Sequence, residues 1–322
     1  MTQVQTVRGP VEAADLGLTL AHEHVFVLTP DLLAQGLPEA WDEEARVADA
    51  VDKLRRVAAL GVRTIVDPTV VGLGRYLPRV QRVNAEVDLH IVAATGLYTY
   101  AELPPYLGFF GPGTPFGGED PLVAMMLRDL EEGIGGTGVR AGVLKCAVDA
   151  PGLLPGPRRV LDAVAEVHGA TGAPVLVHTS VHNDGPEQVL DVLRDSGADL
   201  GRVVLGHVGD STDVGRLKSL ADTGALLGMD RFGLDALLAT EQRVDTVVRL
   251  CADGYAGRMV LSQDAACHID WFPLGAVPAT APNWHFEHIH RAVLPALRER
   301  GVTEEQITTM LVDVPRQWLS GA

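Results

Sequence analysis

An eight-stranded parallel (β/α)8 barrel is the fold that this 322-residue sequence predicts. Three observations predict it. Eight short runs are apolar almost without interruption, as in parallel strands covered on both faces. Stretches with helical spacing of apolar residues separate many of them, the alternation that builds α/β barrels. Polar residues able to do chemistry recur at the carboxyl ends of the runs, where barrel enzymes carry their sites. No low-complexity linker divides the chain, so residues 1–322 read as one barrel domain with insertions. The competing fold is an open doubly wound sheet, which usually shows Gly-x-Gly-x-x-Gly after its first strand. Here Ala21-His-Glu-His24 occupies that slot.

The elements follow in order. Residues 16–25 (Leu-Gly-Leu-Thr-Leu-Ala-His-Glu-His-Val) form the first predicted strand. A helix over Glu43–Leu60 carries Ala, Val and Leu at helical spacing. Strands over 62–68 and 89–96 come next, then an insertion, Pro104–Asp120, rich in Gly, Pro and Phe. The fourth strand, 139–147, is followed by a helix over Arg158–Thr171, and the fifth, 174–179, by a helix over Pro186–Ser196 that begins after Asn183-Asp184-Gly185, a capping sequence. Strands six to eight cover 202–207, 225–231 and 258–264, with a helix over Thr240–Asp253 between the last two. A second insertion, Ala265–Trp284, contains Trp271, Phe272, Trp284 and three prolines. Helices over His288–Gly301 and Thr303–Val312 close the chain. Long loops after barrel strands shape substrate pockets, and both insertions lie in such places.

Composition narrows the function. A formal net charge of −16 leaves no basic stripe to neutralise phosphates, which argues against nucleic acid and against an anionic membrane surface. Cys146, Cys251 and Cys267 are far apart with no Cys-x-x-Cys, so a disulfide framework is not expected and a reducing cytoplasm fits. The first ten residues lack an apolar signal core, and no run of 18 apolar residues predicts a membrane span.

Residues two apart on a strand face the same way, so His22 and His24 are expected to share a face, with Glu23 turned from it. Alone, His-x-His is a weak metal signal. However, Lys145 ends the fourth predicted strand, His178 the fifth, His207 the sixth and Asp264 the eighth. Four histidines, a lysine and an aspartate at matching positions on five strands point to divalent transition metals. A lone lysine there would be expected to snorkel to solvent. Beside two dications an ammonium is disfavoured, whereas a neutral amine can take up carbon dioxide and become a carbamate that bridges two ions. Two divalent ions, Asp264, the carbamate and a bridging hydroxide leave a net charge of roughly +1.

Seven stretches together resemble the phosphotriesterase family of the amidohydrolase superfamily, and its phosphotriesterase-like lactonases most closely: Leu20-Ala-His-Glu-His24, Ala94-Thr-Gly-Leu-Tyr-Thr-Tyr100, Gly142-Val-Leu-Lys-Cys146, Val177-His-Thr179, Gly206-His-Val-Gly-Asp210, Gly228-Met-Asp-Arg-Phe-Gly233 and Leu261-Ser-Gln-Asp264. The resemblance implies a binuclear centre. His22 and His24 would bind the more buried ion, His178 and His207 the more exposed one, and carboxylated Lys145 both. Asp264 would bind the buried ion and take the proton of a metal-bridging hydroxide. The ions would be zinc, with cobalt, iron or manganese as alternatives. Tyr98 would sit over the metals, and Arg231 and Trp271 would line the substrate pocket. The implied activity is the opening of N-acyl homoserine or γ/δ-lactones with promiscuous phosphotriester hydrolysis; the alternative is a phosphotriester or carboxylester hydrolase. A homodimer is implied too. A binding protein with a structural metal and a phosphate-binding isomerase are the readings from other classes. Lys145 and Asp264 weigh against the first, and the absence of Gly-rich loops after strands seven and eight against the second.

The sequence departs from the family in three places. Gln263 stands where histidine often precedes the catalytic aspartate, and alternation is expected to point it away from Asp264. Residues 179–185 differ at the pocket rim, and Val314 interrupts a common Asp-Asn-Pro pattern. His285, His288 and His290 are expected to be structural, while His90, His168, His182 and His268 have no ligand context.

Overall fold

The computed structural model describes residues 2–37 and 41–321. Its strands are β1 (Gln3–Thr6), β2 (Gly9–Glu12), β3 (Leu18–Leu20), β4 (His24–Val27), β5 (Val62–Asp67), β6 (His90–Gly96), β7 (Val143–Val148), β8 (Val175–Thr179), β9 (Val203–Gly206), β10 (Leu226–Met229), β11 (Met259–Leu261) and β12 (Ala266–Ile269). Eight of them form one parallel sheet in the order β11-β10-β9-β8-β7-β6-β5-β3, with helices between, which is the nearly closed (β/α)8 barrel.

Strand alternation sorts the apolar side chains into two cores. Val92, Val143, Leu176, Val204 and Val260 fill the barrel interior. Their neighbours Ile91, Leu144, Val177, Leu205 and Leu261 pack outward against helical residues such as Leu54, Val164 and Val189. The helix Glu43–Ala59 shows why the sequence is helical there. Asp42 caps it by accepting from the Ala45 amide at 3.1 Å, and Val47, Ala50, Val51, Leu54 and Val57 form one buried face. Below the barrel, Val4 of the β1–β2 hairpin and the fully buried Trp318 join the interior core, and the Trp318 indole donates to the Arg202 carbonyl at 3.1 Å.

Two predicted strands are interrupted where the site lies. The run 16–25 is broken into β3 and β4, and the run 258–264 stops at Leu261 and resumes as β12 inside the second insertion. The ladder has no β3–β11 pairing; closure is made by other bonds. Glu23, fully buried, accepts from Ser262 Oγ at 2.7 Å, the Gln263 amide at 2.8 Å and the Ala265 amide at 2.9 Å. The Asp264 amide donates to the His22 carbonyl at 3.0 Å, and β4 pairs with β12 in parallel. One carboxylate therefore replaces the missing rungs of the ladder. Burial lifts Glu23 to about 8 against the pull of its three donors.

Other differences are local. Helices Leu77–Ala85, Pro121–Glu131 and Val214–Asp222 lie outside the helices expected from the sequence. The two C-terminal helices contain wide π turns over Ile289–Val293 and Thr309–Asp313, each followed closely by a proline, Pro295 or Pro315, that cannot donate the regular helical bond. Val314 is buried in the interior core.

Gly96, at the end of β6, has φ +140°, and a Cβ there would lie 1.8 Å from the Lys145 carbonyl oxygen. Gly96→Ala is expected to destabilise the fold by about 2 kcal/mol or more, from strain and displaced backbone. Urea unfolding measures it; a change below about 0.5 kcal/mol would contradict this packing argument.

Candidate metal centre and active site

The two-residue period carries the interior core upward into a polar layer. Lys145 stands two residues past Val143 and His178 two past Leu176, so both project into the barrel mouth. His22 and His24 come from the break between β3 and β4, His207 follows β9, and Asp264 follows β11. All six expected ligands meet there. His22 Nε2 and His24 Nε2 each lie 3.3 Å from Asp264 Oδ1. His178 Nδ1 lies 2.9 Å from His207 Nε2, and Lys145 Nζ 3.4 Å from His22 Nε2.

Each imidazole is aimed by a second residue. Asp230, fully buried, places Oδ2 2.8 Å from His22 Nδ1 and Oδ1 3.0 Å from His207 Nδ1, and it also accepts from the His207 amide at 2.8 Å. A carboxylate between two ring nitrogens accepts from both, so both Nε2 lone pairs face the centre. The rings stack with centroids 4.9 Å apart. Asp149 Oδ2 holds His178 Nε2 at 2.9 Å, which turns Nδ1 inward. Thr69 Oγ1 accepts from His24 Nδ1 at 2.7 Å and donates to Asp67 Oδ1 at 2.5 Å.

The electrostatics suit cations. Burial drives His178 down to about 4 and His22 and His207 below the usual histidine range, so these rings are neutral at pH 7 and their inward nitrogens can accept a cation. Burial also opposes charge on His24, but hydrogen bonds to Asp264 and Asp67 outweigh it and lift the ring to about 9; a metal would displace that proton. Burial pulls the Lys145 ammonium down to about 8 despite Asp264 and Asp230, which brings the free amine within reach. Burial works against the Asp264 carboxylate, yet His22, His207, His24 and Arg231 hold it well below the usual range.

This donor set fits divalent ions. Ligands about 2.1 Å from a tetrahedral ion stand about 3.4 Å apart, close to the 3.3 Å spacings around Asp264 Oδ1. Backbone strain also concentrates here. His207 (φ 68°) and Asp264 (φ 54°) are the two non-glycine residues with positive φ among the described residues. Such strain costs of order 1–3 kcal/mol each and gathers at functional sites.

A family model described as the phosphotriesterase family matches residues 2–319. This chain belongs to the phosphotriesterase family. It is 52% identical to a phosphotriesterase homology protein of Mycobacterium tuberculosis over 98% of this chain and 97% of that one. A solved phosphotriesterase structure from the same species superposes with a TM-score of 0.96, at 52% identity and 98% coverage of both chains. An aryldialkylphosphatase of Saccharolobus solfataricus is 35% identical over 96% of this chain and 97% of its own length. A mutant PTE-like lactonase of Deinococcus radiodurans has a TM-score of 0.89 and 34% identity, covering 98% of this chain and 99% of its own. The chain is accordingly a hydrolase of a metal-dependent family.

The expected substrate-facing residues of this phosphotriesterase-family chain surround the same mouth. The Tyr98 hydroxyl lies 3.4 Å from His178 Nδ1 and hydrogen-bonds the Tyr100 hydroxyl. Arg231 joins two carboxylates, with Nε 3.2 Å from Asp264 Oδ2 and Nη1 3.0 Å from Asp210 Oδ2. Trp271 is half exposed at the rim. These three and the six expected ligands line one cavity of about 430 Å³. Gln263 points away from Asp264, as expected, but because the chain turns there rather than by strand alternation; its Nε2 donates to the Phe286 carbonyl at 2.5 Å.

Sequence reasoning missed Asp230, Asp149, Asp67, Thr69, Asp210 and Trp284. The Trp284 indole donates to the carbonyls of Gln263 and Asp264, at 2.9 and 3.0 Å, bracing the end of strand eight. Asp230 carried one available signal, its place at the end of the seventh strand beside Arg231. Asp230→Ala frees two imidazoles at once. Metal affinity is expected to fall by about 10- to 100-fold, checked by metal retained on dialysis against graded chelator; unchanged retention would contradict the aiming role.

Proposed function

We propose that this chain opens lactones, N-acyl homoserine lactones or simple γ/δ-lactones, with phosphotriester hydrolysis as a secondary activity. The observation that carries the reading is the cavity itself. His22, His24, Lys145, His178, His207 and Asp264 line it together with the apolar Leu73, Leu237, Ile269, Trp271 and Phe272. An ester carbonyl can face the polar groups while an acyl chain lies along the apolar ones. The similar PTE-like lactonase of Deinococcus radiodurans lends support.

In this reading His22, His24, Asp264 and Lys145 as N6-carboxylysine would hold one divalent ion, and His178, His207 and the same Lys145 the other. When bound, the pair supplies hydroxide at neutral pH and a Lewis acid for the carbonyl; zinc suits the imidazole and carboxylate donors, and cobalt, iron or manganese also fit. Asp264 Oδ2 accepts the proton of the attacking hydroxide and returns it to the leaving alkoxide. Arg231 keeps that carboxylate oriented. Burial pushes the Tyr98 phenol above its ordinary range, so it stays protonated and can donate a hydrogen bond to the developing oxyanion.

The test compares a C8–C12 acyl homoserine lactone, a γ-lactone and a diethyl aryl phosphate on one preparation. The reading expects lactone kcat/KM to exceed the triester value by about 100-fold or more, a difference of about 2.7 kcal/mol in transition-state binding. Triester turnover without lactone turnover would overturn it in favour of a phosphotriesterase proper.

A further inference from the structure

A second cavity of about 430 Å³ lies between the 265–284 segment and the helix Glu43–Ala59. It is distinct from the catalytic cavity, but Ile269, Phe272, Val277 and Trp284 line both. Phe272, Leu274, Val277 and Pro278 make one side apolar. The helix contributes Arg46, Lys53 and Arg56 to the other.

The charges on that side do not all cancel. Lys53 Nζ lies 2.8 Å from Asp49 and donates to the Cys267 carbonyl at 2.6 Å. Arg56 pairs with Glu287 at 3.0 Å. Arg46 makes no ion pair with any described residue, and its Nε is buried without a hydrogen-bond partner. His268 Nε2, lining the same cavity, is also buried without one. Buried polar nitrogens without a partner are uncommon and mark places where a ligand can supply one. One uncompensated guanidinium beside a ring nitrogen, at the edge of an apolar chamber, matches a monoanion with an apolar body. A dianion would leave charge unneutralised, and a neutral lipid would leave Arg46 unanswered.

We propose that this cavity binds a straight-chain monocarboxylate, its carboxylate on Arg46 and His268 and its chain along Phe272, Leu274 and Val277. The site stands whichever ester the barrel hydrolyses. Because Phe272 and Trp284 face both cavities, an occupied chamber buttresses the wall of the catalytic pocket from behind and alters KM.

The experiment titrates decanoate into the metal-loaded protein by calorimetry, using wild type, Arg46→Gln and Leu274→Glu, with decanol as the head-group control. Wild type is expected to bind one decanoate saturably. Arg46→Gln is expected to weaken it by about tenfold or more, through loss of a charge-assisted hydrogen bond, and decanol to bind more weakly by a similar factor. Leu274 is 65% exposed, so Leu274→Glu tests the chain-binding side without disturbing the core and is expected to repel the anion. Thermal melts by circular dichroism verify that both variants are folded. Decanoate held in the catalytic pocket instead would bind Arg46→Gln undiminished and compete strictly with substrate; that result, or no saturable binding to wild type, overturns the proposal.

Discussion

Under the proposed two-metal reading, Lys145→Ala is expected to lower hydrolytic turnover by on the order of 10³-fold or more, since it would remove a group acting on both ions. Bound metal is expected to fall from about two ions per chain to one or fewer. The reason is geometric as well as electrostatic. Lys145 is 1% exposed and its Nζ lies 3.4 Å from His22 Nε2. Inside this ring of imidazoles and carboxylate an ammonium would repel cations, whereas a carbamate on the same nitrogen would supply two anionic oxygens. Burial, which lowers the ammonium to about 8, makes the amine available for that reaction. Metal content by plasma emission and lactone turnover measure the two effects together. Short carboxylates such as acetate or propionate fill the space left by the truncated side chain and are expected to restore part of both. A variant that kept two ions and full turnover would remove Lys145 from the centre.

Glu23→Ala is expected to cost about 3 kcal/mol of stability or more, the scale for leaving several buried donors without their acceptor. Three donors lose their acceptor at once: Ser262 Oγ and the amides of Gln263 and Ala265. All three lie at the seam between β3 and β11, where the ladder offers no replacement. The loss should appear as a lower urea midpoint. Since Ser262 also accepts from the His22 amide at 2.9 Å, a displaced His22 should lower metal retention in parallel. Glu23→Gln keeps an acceptor but sets an amide NH2 against an N–H donor, so its effect should be intermediate. A loss below about 1 kcal/mol for Glu23→Ala would mean that β4–β12 pairing alone closes the barrel.

The legible parts of the site were those obeying a strand rule. His178 and Lys145 stand two residues beyond interior valine or leucine positions, so alternation aims them without further help. The illegible parts were the carboxylates behind the ligands. Asp230 and His22 are 208 positions apart, and Glu23 and Ala265 are 242 apart; no local period connects such pairs. Glu23 shows the difference most clearly. Its direction, away from the expected ligand face, was readable from the strand, but its task of joining the barrel edges was not.

The sequence by itself determined the barrel, the order of its main strands, and the six residues whose side chains meet at its mouth, because apolar periodicity and strand-end position act over a few residues. The tertiary structure alone decided where the ladder is broken, which ring nitrogen of each histidine turns inward, and which residues separate the two cavities. Each of those depends on side chains from distant strands satisfying one another's hydrogen bonds in a space from which water is excluded, and such a partner exists only once the barrel has closed.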